Sequence, residues 1–129
     1  MSGEAIFTDR APKPIGPYSQ AVRVGNALFI SGQIPLDPRT GKLVEGGIRE
    51  QARRALENLK AIVEDAGFSM EDVVWVVVFL RDLKFYGDFN EVYSQYFRRP
   101  PARVVVEVSE LPGGALVEIA AVAFKGGGA

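Results

Sequence analysis

The chain contains no cysteine and no histidine. Those two absences remove thiol nucleophiles, Ser-His-Asp relays, imidazole bases and zinc sites of the usual ligand types. Disulfides are excluded as well, and with them any reading of the redox compartment. Long apolar runs are also missing: nothing approaches the length of a membrane span. The first residues, Met1-Ser2-Gly3-Glu4-Ala5-Ile6-Phe7, lack the basic-then-apolar order of a secretory signal. The sequence therefore reads as cytoplasmic, with no membrane partner. Net charge is only −1, and no basic stripe interleaved with aromatics occurs, so a nucleic-acid partner is not expected. No clustered Asp-x-Asp spacing points to a hard cation, so no metal is predicted. Any chemistry must come from Asp, Glu, Arg, Lys, Tyr, Ser, backbone dipoles and ordered water.

What is present describes one soluble domain with a real core: 129 residues, 47% hydrophobic and 24% charged. It spans residues 1–129, with 1–10 read as a loose arm and 125–129 as a disordered tail. Ala11-Pro12-Lys13-Pro14-Ile15-Gly16-Pro17-Tyr18 carries three prolines that fix an extended path. It delivers Tyr18, for which packing and function both fit. Gln20–Val24 and Ala27–Ser31 read as strands joined by the turn pair Gly25-Asn26. The second runs into Ser31-Gly32-Gln33, where a glycine lets a backbone or ligand come close.

Ile48, Ala52, Ala55, Leu56, Leu59, Ile62, Val63 and Ala66 recur at helical spacing, and Gly67 stands where a C-terminal cap is expected. Val73–Leu80 is apolar at both parities, the pattern of a strand buried on both faces. A second helix is predicted from about Leu83 to Phe97, with Asp82 as N-cap. Asn90 lies inside it, either pointing outward or helping to build a site. Two β-rich runs, Pro100–Val108 and Leu116–Phe124, close the chain as a strand and its return across a Pro- and Gly-containing connector.

Each of these last runs carries a charge among aliphatics. By alternation, Arg103 and Val105 share one strand face, while Glu118 shares parity with Leu116, Ala120 and Val122. The ordinary reading of such charges is a solvated or ion-paired residue. The sharper reading is a guanidinium and a carboxylate lining one cleft, the first holding an anion and the second handling water or protons.

The predicted order is ββαβαββ, an α+β domain. Two helices can cover only one face of a four- to six-stranded sheet, yet Val73–Leu80 asks for cover on both. A second copy of the chain is the nearest supplier, so a homo-oligomer with clefts between subunits is expected.

Several motifs in order resemble the Rid family, the YjgF-type reactive-intermediate (enamine/imine) deaminases. They are Ile15-Gly16-Pro17-Tyr18-Ser19-Gln20-Ala21, Ser31-Gly32-Gln33-Ile34-Pro35, Asn58-Leu59-Lys60-Ala61-Ile62-Val63, Val78-Phe79-Leu80-x-Asp82-Leu83 with Phe89-Asn90, and Pro101-Ala102-Arg103-Val104-x-Val106-x-x-Ser109-x-Leu111 followed by Val117-Glu118-Ile119. The similarity runs from about Ala11 to Phe124.

The resemblance implies a chorismate-mutase-like fold, with two helices on one sheet face and trimerisation through the other. The implied activity is hydrolysis of 2-aminoacrylate and related 2-enamino and 2-imino acids to 2-oxo acids and ammonia, without a cofactor. By position, Arg103 would clamp the substrate carboxylate and Glu118 would hold or polarise the attacking water. Tyr18, Ser31 and Asn90 would complete the pocket, and Gly32 and Val105 would offer backbone groups. Many members carry Cys where this chain has Val105, a departure that matters only if the thiol itself acts. The alternative is a non-catalytic protein that binds small carboxylates or metabolites in the same cleft.

Overall fold

The computed structural model describes residues 3–126. Six strands and two α-helices follow one another as β1 (Glu4–Ile6), β2 (Ala21–Val24), β3 (Ala27–Gln33), α1 (Ile48–Asp65), β4 (Val73–Leu80), α2 (Tyr86–Tyr93), β5 (Ala102–Glu107) and β6 (Val117–Phe124). The strands form one sheet in the order β1-β2-β3-β6-β4-β5. The α+β class is as expected.

Local sequence explains most elements. Gly25 turns the β2–β3 hairpin with φ 57°, a conformation that costs glycine little. The α1 stripe packs Ala52, Ala55, Leu56, Leu59, Ile62 and Val63 into the core with Leu28 and Ile30 of β3 and Val117, Ile119 and Ala121 of β6. Burying a Leu- or Ile-sized side chain in this way is worth about 1.5–3 kcal/mol. Gly67, at φ 87°, follows the C-terminal cap of α1. Asn58, a polar residue buried among these, is satisfied. The Asn58 amide donates to the carbonyls of Ile34 (3.2 Å) and Leu36 (3.0 Å), which pins the connection after β3.

Four expectations need correction. The first ten residues are not simply a loose arm, because Glu4–Ile6 pairs antiparallel with β2. Gln20 anchors the segment after β1: its amide accepts from Thr8 N–H (2.7 Å) and donates to the carbonyls of Thr8 (3.1 Å), Ala11 (3.3 Å) and Pro12 (2.9 Å). The second helix is shorter than its apolar pattern suggested. Leu83–Phe85 is a 3-10 turn, Asp82 accepts from Lys84 N–H at 2.8 Å, and α2 ends at Tyr93.

The last two strands are not neighbours. β4 lies between them, parallel to β5 and antiparallel to β6. The all-apolar β4 takes the inner place, while β5, with Arg103 and Glu107, takes the edge where charges stay near water. Finally, Lys125 continues the chain in order, its N–H donating to Asn26 O at 2.9 Å. The rest of the expected tail, 127–129, lies outside the described residues.

Both helices lie on one side of the sheet. Val76, Val78 and Leu80 of β4 point to that side and are buried, whereas Trp75, Val77 and Phe79 point away. The far side is apolar and uncovered within one chain: Phe29, Trp75, Val104, Val106 and Phe124 are each between 39% and 50% exposed. A single chain thus buries β4 on one face only, not on the two its sequence called for.

Candidate active site

Arg103 stands on β5 beside Val76 of β4, and Val105 beside Val78, which places both side chains on the helix side of the sheet. Val105 packs against the core. Arg103 meets α2 instead. Its guanidinium carbon lies 4.7 Å from the centroid of Tyr93 and 5.7 Å from that of Tyr86, and its Nη2 donates to Tyr86 Oη at 3.2 Å. Tyr86, Asn90 and Tyr93 fall at i, i+4 and i+7, so they share one face of the helix. Asn90 Oδ1 and Tyr93 Oη are buried with no hydrogen-bond partner. Burial pushes the Tyr93 phenol above its ordinary pKa, and the Arg103 charge opposes that shift only in part. The Tyr93 phenol is therefore a neutral donor near pH 7.

Glu118 occupies the other side. Its Cα partner is Phe79, and Val117 and Ile119 on either side of it are buried in the helix-facing core. The β3–β6 register shifts between Ile30 and Gln33, so Ser31 and Gly32 form a bulge opposite Ala120. The bulge brings Gly32 against Glu118. A Cβ on Gly32 would overlap Glu118 Oε2 and lie 2.8 Å from Cδ, so only glycine leaves room for that carboxylate. Ser31 donates from its Oγ to Ser19 O (2.6 Å) and from its N–H to Gln20 O (2.9 Å), which ties this bulge to the segment holding Tyr18. Tyr18 Oη accepts from Ile15 N–H at 3.2 Å, and Tyr18 and Gly32 line one small cavity. Desolvation raises the Glu118 pKa above the ordinary carboxylate value.

The candidate residues therefore gather as two groups. Arg103, Asn90 and Val105 lie on the helix side near the β5 edge. Tyr18, Ser31, Gly32 and Glu118 lie around the β3–β6 bulge, with Glu118 on the bare side. One chain does not bring Arg103 and Glu118 into a common cleft, because β4 separates their strands and the side chains project oppositely. Tyr86 and Tyr93 were missed as neighbours of Arg103, although their helical spacing from Asn90 is visible in the sequence.

Two depressions frame this geometry. One of about 360 Å³ on the bare face is lined by Phe29, Ser31, Trp75, Val77 and Val122 among others, and adjoins the Glu118 group through Ser31. A larger one of about 510 Å³ lies over the outer side of α1 and contains none of the candidate residues. There Tyr96 donates to Glu57 at 2.7 Å, and burial together with that carboxylate pushes the phenol up to about 12. Among the described residues no group of three His, Cys, Asp or Glu side chains could hold a metal ion. No helix there is long and apolar enough to cross a membrane.

Comparison with known proteins places the chain in a family. The model of the family described as endoribonuclease L-PSP matches residues 8–125. A RutC family protein of Pyrococcus abyssi is 58% identical over 126 residues, covering 97% of this chain and 99% of the relative. A mouse protein named 2-iminobutanoate/2-iminopropanoate deaminase is 47% identical over 124 residues, covering 95% of this chain and 92% of its own length. The crystal structure of E. coli TdcF with bound serine superposes with a TM-score of 0.91 at 44% identity, covering 95% of this chain and 98% of that one.

Proposed function

The chain belongs to the Rid (YjgF-type) family, and on that footing we propose that it hydrolyses 2-enamino and 2-imino acids such as 2-aminoacrylate. The products are 2-oxo acids and ammonia, and the reaction occurs in clefts that two copies of the chain complete together. One observation carries this reading: the residues suited to the chemistry are split between opposite faces of one sheet, and the face bearing Glu118 is apolar and bare. A second copy laid on that face would bury it and bring the Arg103 group of one chain to the Glu118 group of the next. Three copies, each offering both groups, would close a ring with three such clefts.

The chemistry asks for little. The enamine gains a proton at carbon to become an iminium ion, which is the imine protonated at nitrogen, and water adds to the adjacent carbon as it gives up a proton. The carbinolamine then loses ammonia and leaves the 2-oxo acid. Arg103, with its planar fork of donors, holds the substrate carboxylate in two parallel hydrogen bonds. Glu118, with its pKa raised by burial, sits closer to the pH at which it can take a proton from water and return it to nitrogen. General acid–base help of this kind is worth about 10²–10⁴ in rate. Such a gain is useful for a substrate that already hydrolyses in water. The deaminase name of the mouse relative and the amino acid bound to TdcF support a small carboxylate ligand.

The test is an assay in which a dehydratase generates 2-aminoacrylate and 2-oxo acid release is followed with and without the protein. Acceleration that disappears in a folded Arg103→Ala variant is expected. Binding of a small 2-oxo acid with no acceleration would replace this reading with the non-catalytic one.

A further inference from the structure

We infer that Tyr86 fixes the working position of Arg103 and adds a second donor to the carboxylate that Arg103 holds, an inference that rests on the deaminase reading above. Arg103 projects from the outermost strand, and among the described residues no carboxylate lies within ion-pair distance of it. A long cationic side chain in that situation samples many rotamers unless something holds it. Here two phenol rings do. The Tyr93 ring is buried and forms the fixed wall. Tyr86, 44% exposed, is the outer one, and its oxygen accepts from Nη2 at 3.2 Å.

The direction of that hydrogen bond matters. Because the phenol oxygen accepts from Arg103, its own hydrogen is directed away from the guanidinium and remains available to donate. Nη2 keeps a second hydrogen as well. Two donor atoms 3.2 Å apart can both reach a single acceptor oxygen at ordinary hydrogen-bond distance, closing a triangle of three bonds. A carboxylate presents about four lone-pair positions, more than the guanidinium fork alone fills.

The segment that carries Tyr86 is tied to the strand that carries Arg103. Leu83 N–H donates to Glu107 Oε1 at 2.8 Å, and Glu107 lies on β5 on the same face as Arg103. Asp82 holds the intervening 3-10 turn by accepting from Lys84 N–H at 2.8 Å. The turn that shortens α2 thus sets Tyr86 opposite Arg103. A group acting on the carboxylate end of the substrate binds ground state and transition state alike, so its loss falls on KM and not on kcat.

The test uses the full-length protein and its Tyr86→Phe variant, which keeps the ring over Arg103 and removes only the hydroxyl. Steady-state deamination of dehydratase-generated 2-iminopropanoate and calorimetric titration with pyruvate are measured side by side. The expected result is a KM and a pyruvate Kd both raised about tenfold, with kcat within about twofold of the parent. Unchanged KM and Kd, or a fall in kcat at constant KM, would overturn the inference while leaving the deaminase reading intact. If the parent binds pyruvate but turns nothing over and Tyr86→Phe still weakens binding, the deaminase reading fails and the role of Tyr86 stands. A parent that neither binds nor turns over ends both.

Discussion

Arg103 and Glu118 project from opposite faces of the same sheet, with only β4 between their strands. Arg103 pairs with Val76, whose side chain is buried under the helices, and Glu118 pairs with Phe79, whose side chain is turned to the bare face. A reaction that needs both groups needs two chains.

Mixing two inactive variants tests that division directly. Arg103→Ala retains a working Glu118 group, and Glu118→Gln retains a working Arg103 group. If subunits exchange at random from an equal mixture, a given cleft receives one intact group from each variant in about one quarter of cases. About a quarter of parental deaminase activity should therefore return after co-refolding. No recovery at all would place both groups in one chain's site.

Glu118→Gln should also change stability, with a sign fixed by burial. The folded pKa of Glu118 is raised, so between the unfolded and folded values the native chain binds more protons than the unfolded chain. Stability therefore falls as pH rises through that window. The neutral amide escapes this cost. The variant should melt higher than the parent at about pH 8 and no higher at about pH 3.5, on the acid side of the ordinary carboxylate value. Thermal melts at both pH values check it, and equal melting temperatures at about pH 8 would count against a desolvated carboxylate.

Gly32→Ala should inactivate without unfolding. The added methyl occupies the space of the Glu118 carboxylate, which must swing away. Because the carboxylate is a flexible side-chain end, the fold can adjust, but the acid–base group is displaced. A loss of about 10²-fold or more in kcat with an unchanged circular dichroism spectrum is expected.

A charge placed on the bare face should separate the copies. Val106 lies there, 39% exposed in the single chain. Val106→Glu would leave both groups of site residues intact in each chain, yet bury an unpaired carboxylate in any assembly on that face. Sedimentation should show the mass of one chain for the variant against the mass of about three expected for the parent from the proposed ring, and deamination should vanish with it.

Gln20→Leu addresses the segment that holds Tyr18. The amide is 1% exposed and serves the backbones of Thr8, Ala11 and Pro12. Removing it strands buried backbone groups at about 1–3 kcal/mol each. A melting temperature lowered by about 10 °C or more, accompanied by weaker substrate binding, is the expected outcome.

Much of this was legible in the residues themselves. The period of α1, the glycine that ends it and the Gly25-Asn26 turn are local signals, and local signals survive without knowledge of the fold. The two-sided apolarity of Val73–Leu80 even foretold that one chain would leave a face unburied. What the sequence could not decide was adjacency. Pro100–Val108 and Leu116–Phe124 read as a strand and its return, but a strand's choice of partner depends on which pairing buries the most apolar surface, and β4 won the place between them. That insertion put Arg103 on an edge and Glu118 on the opposite face. Likewise the short approach of Gly32 to Glu118 depends on a bulge set by the β3–β6 register, and the grip of Tyr86 and Tyr93 on Arg103 depends on where α2 crosses the sheet. Residue types and their periods were fixed along the chain. Which of them meet was fixed only by packing in three dimensions, because contacts between distant segments are selected by the whole core and not by any one stretch.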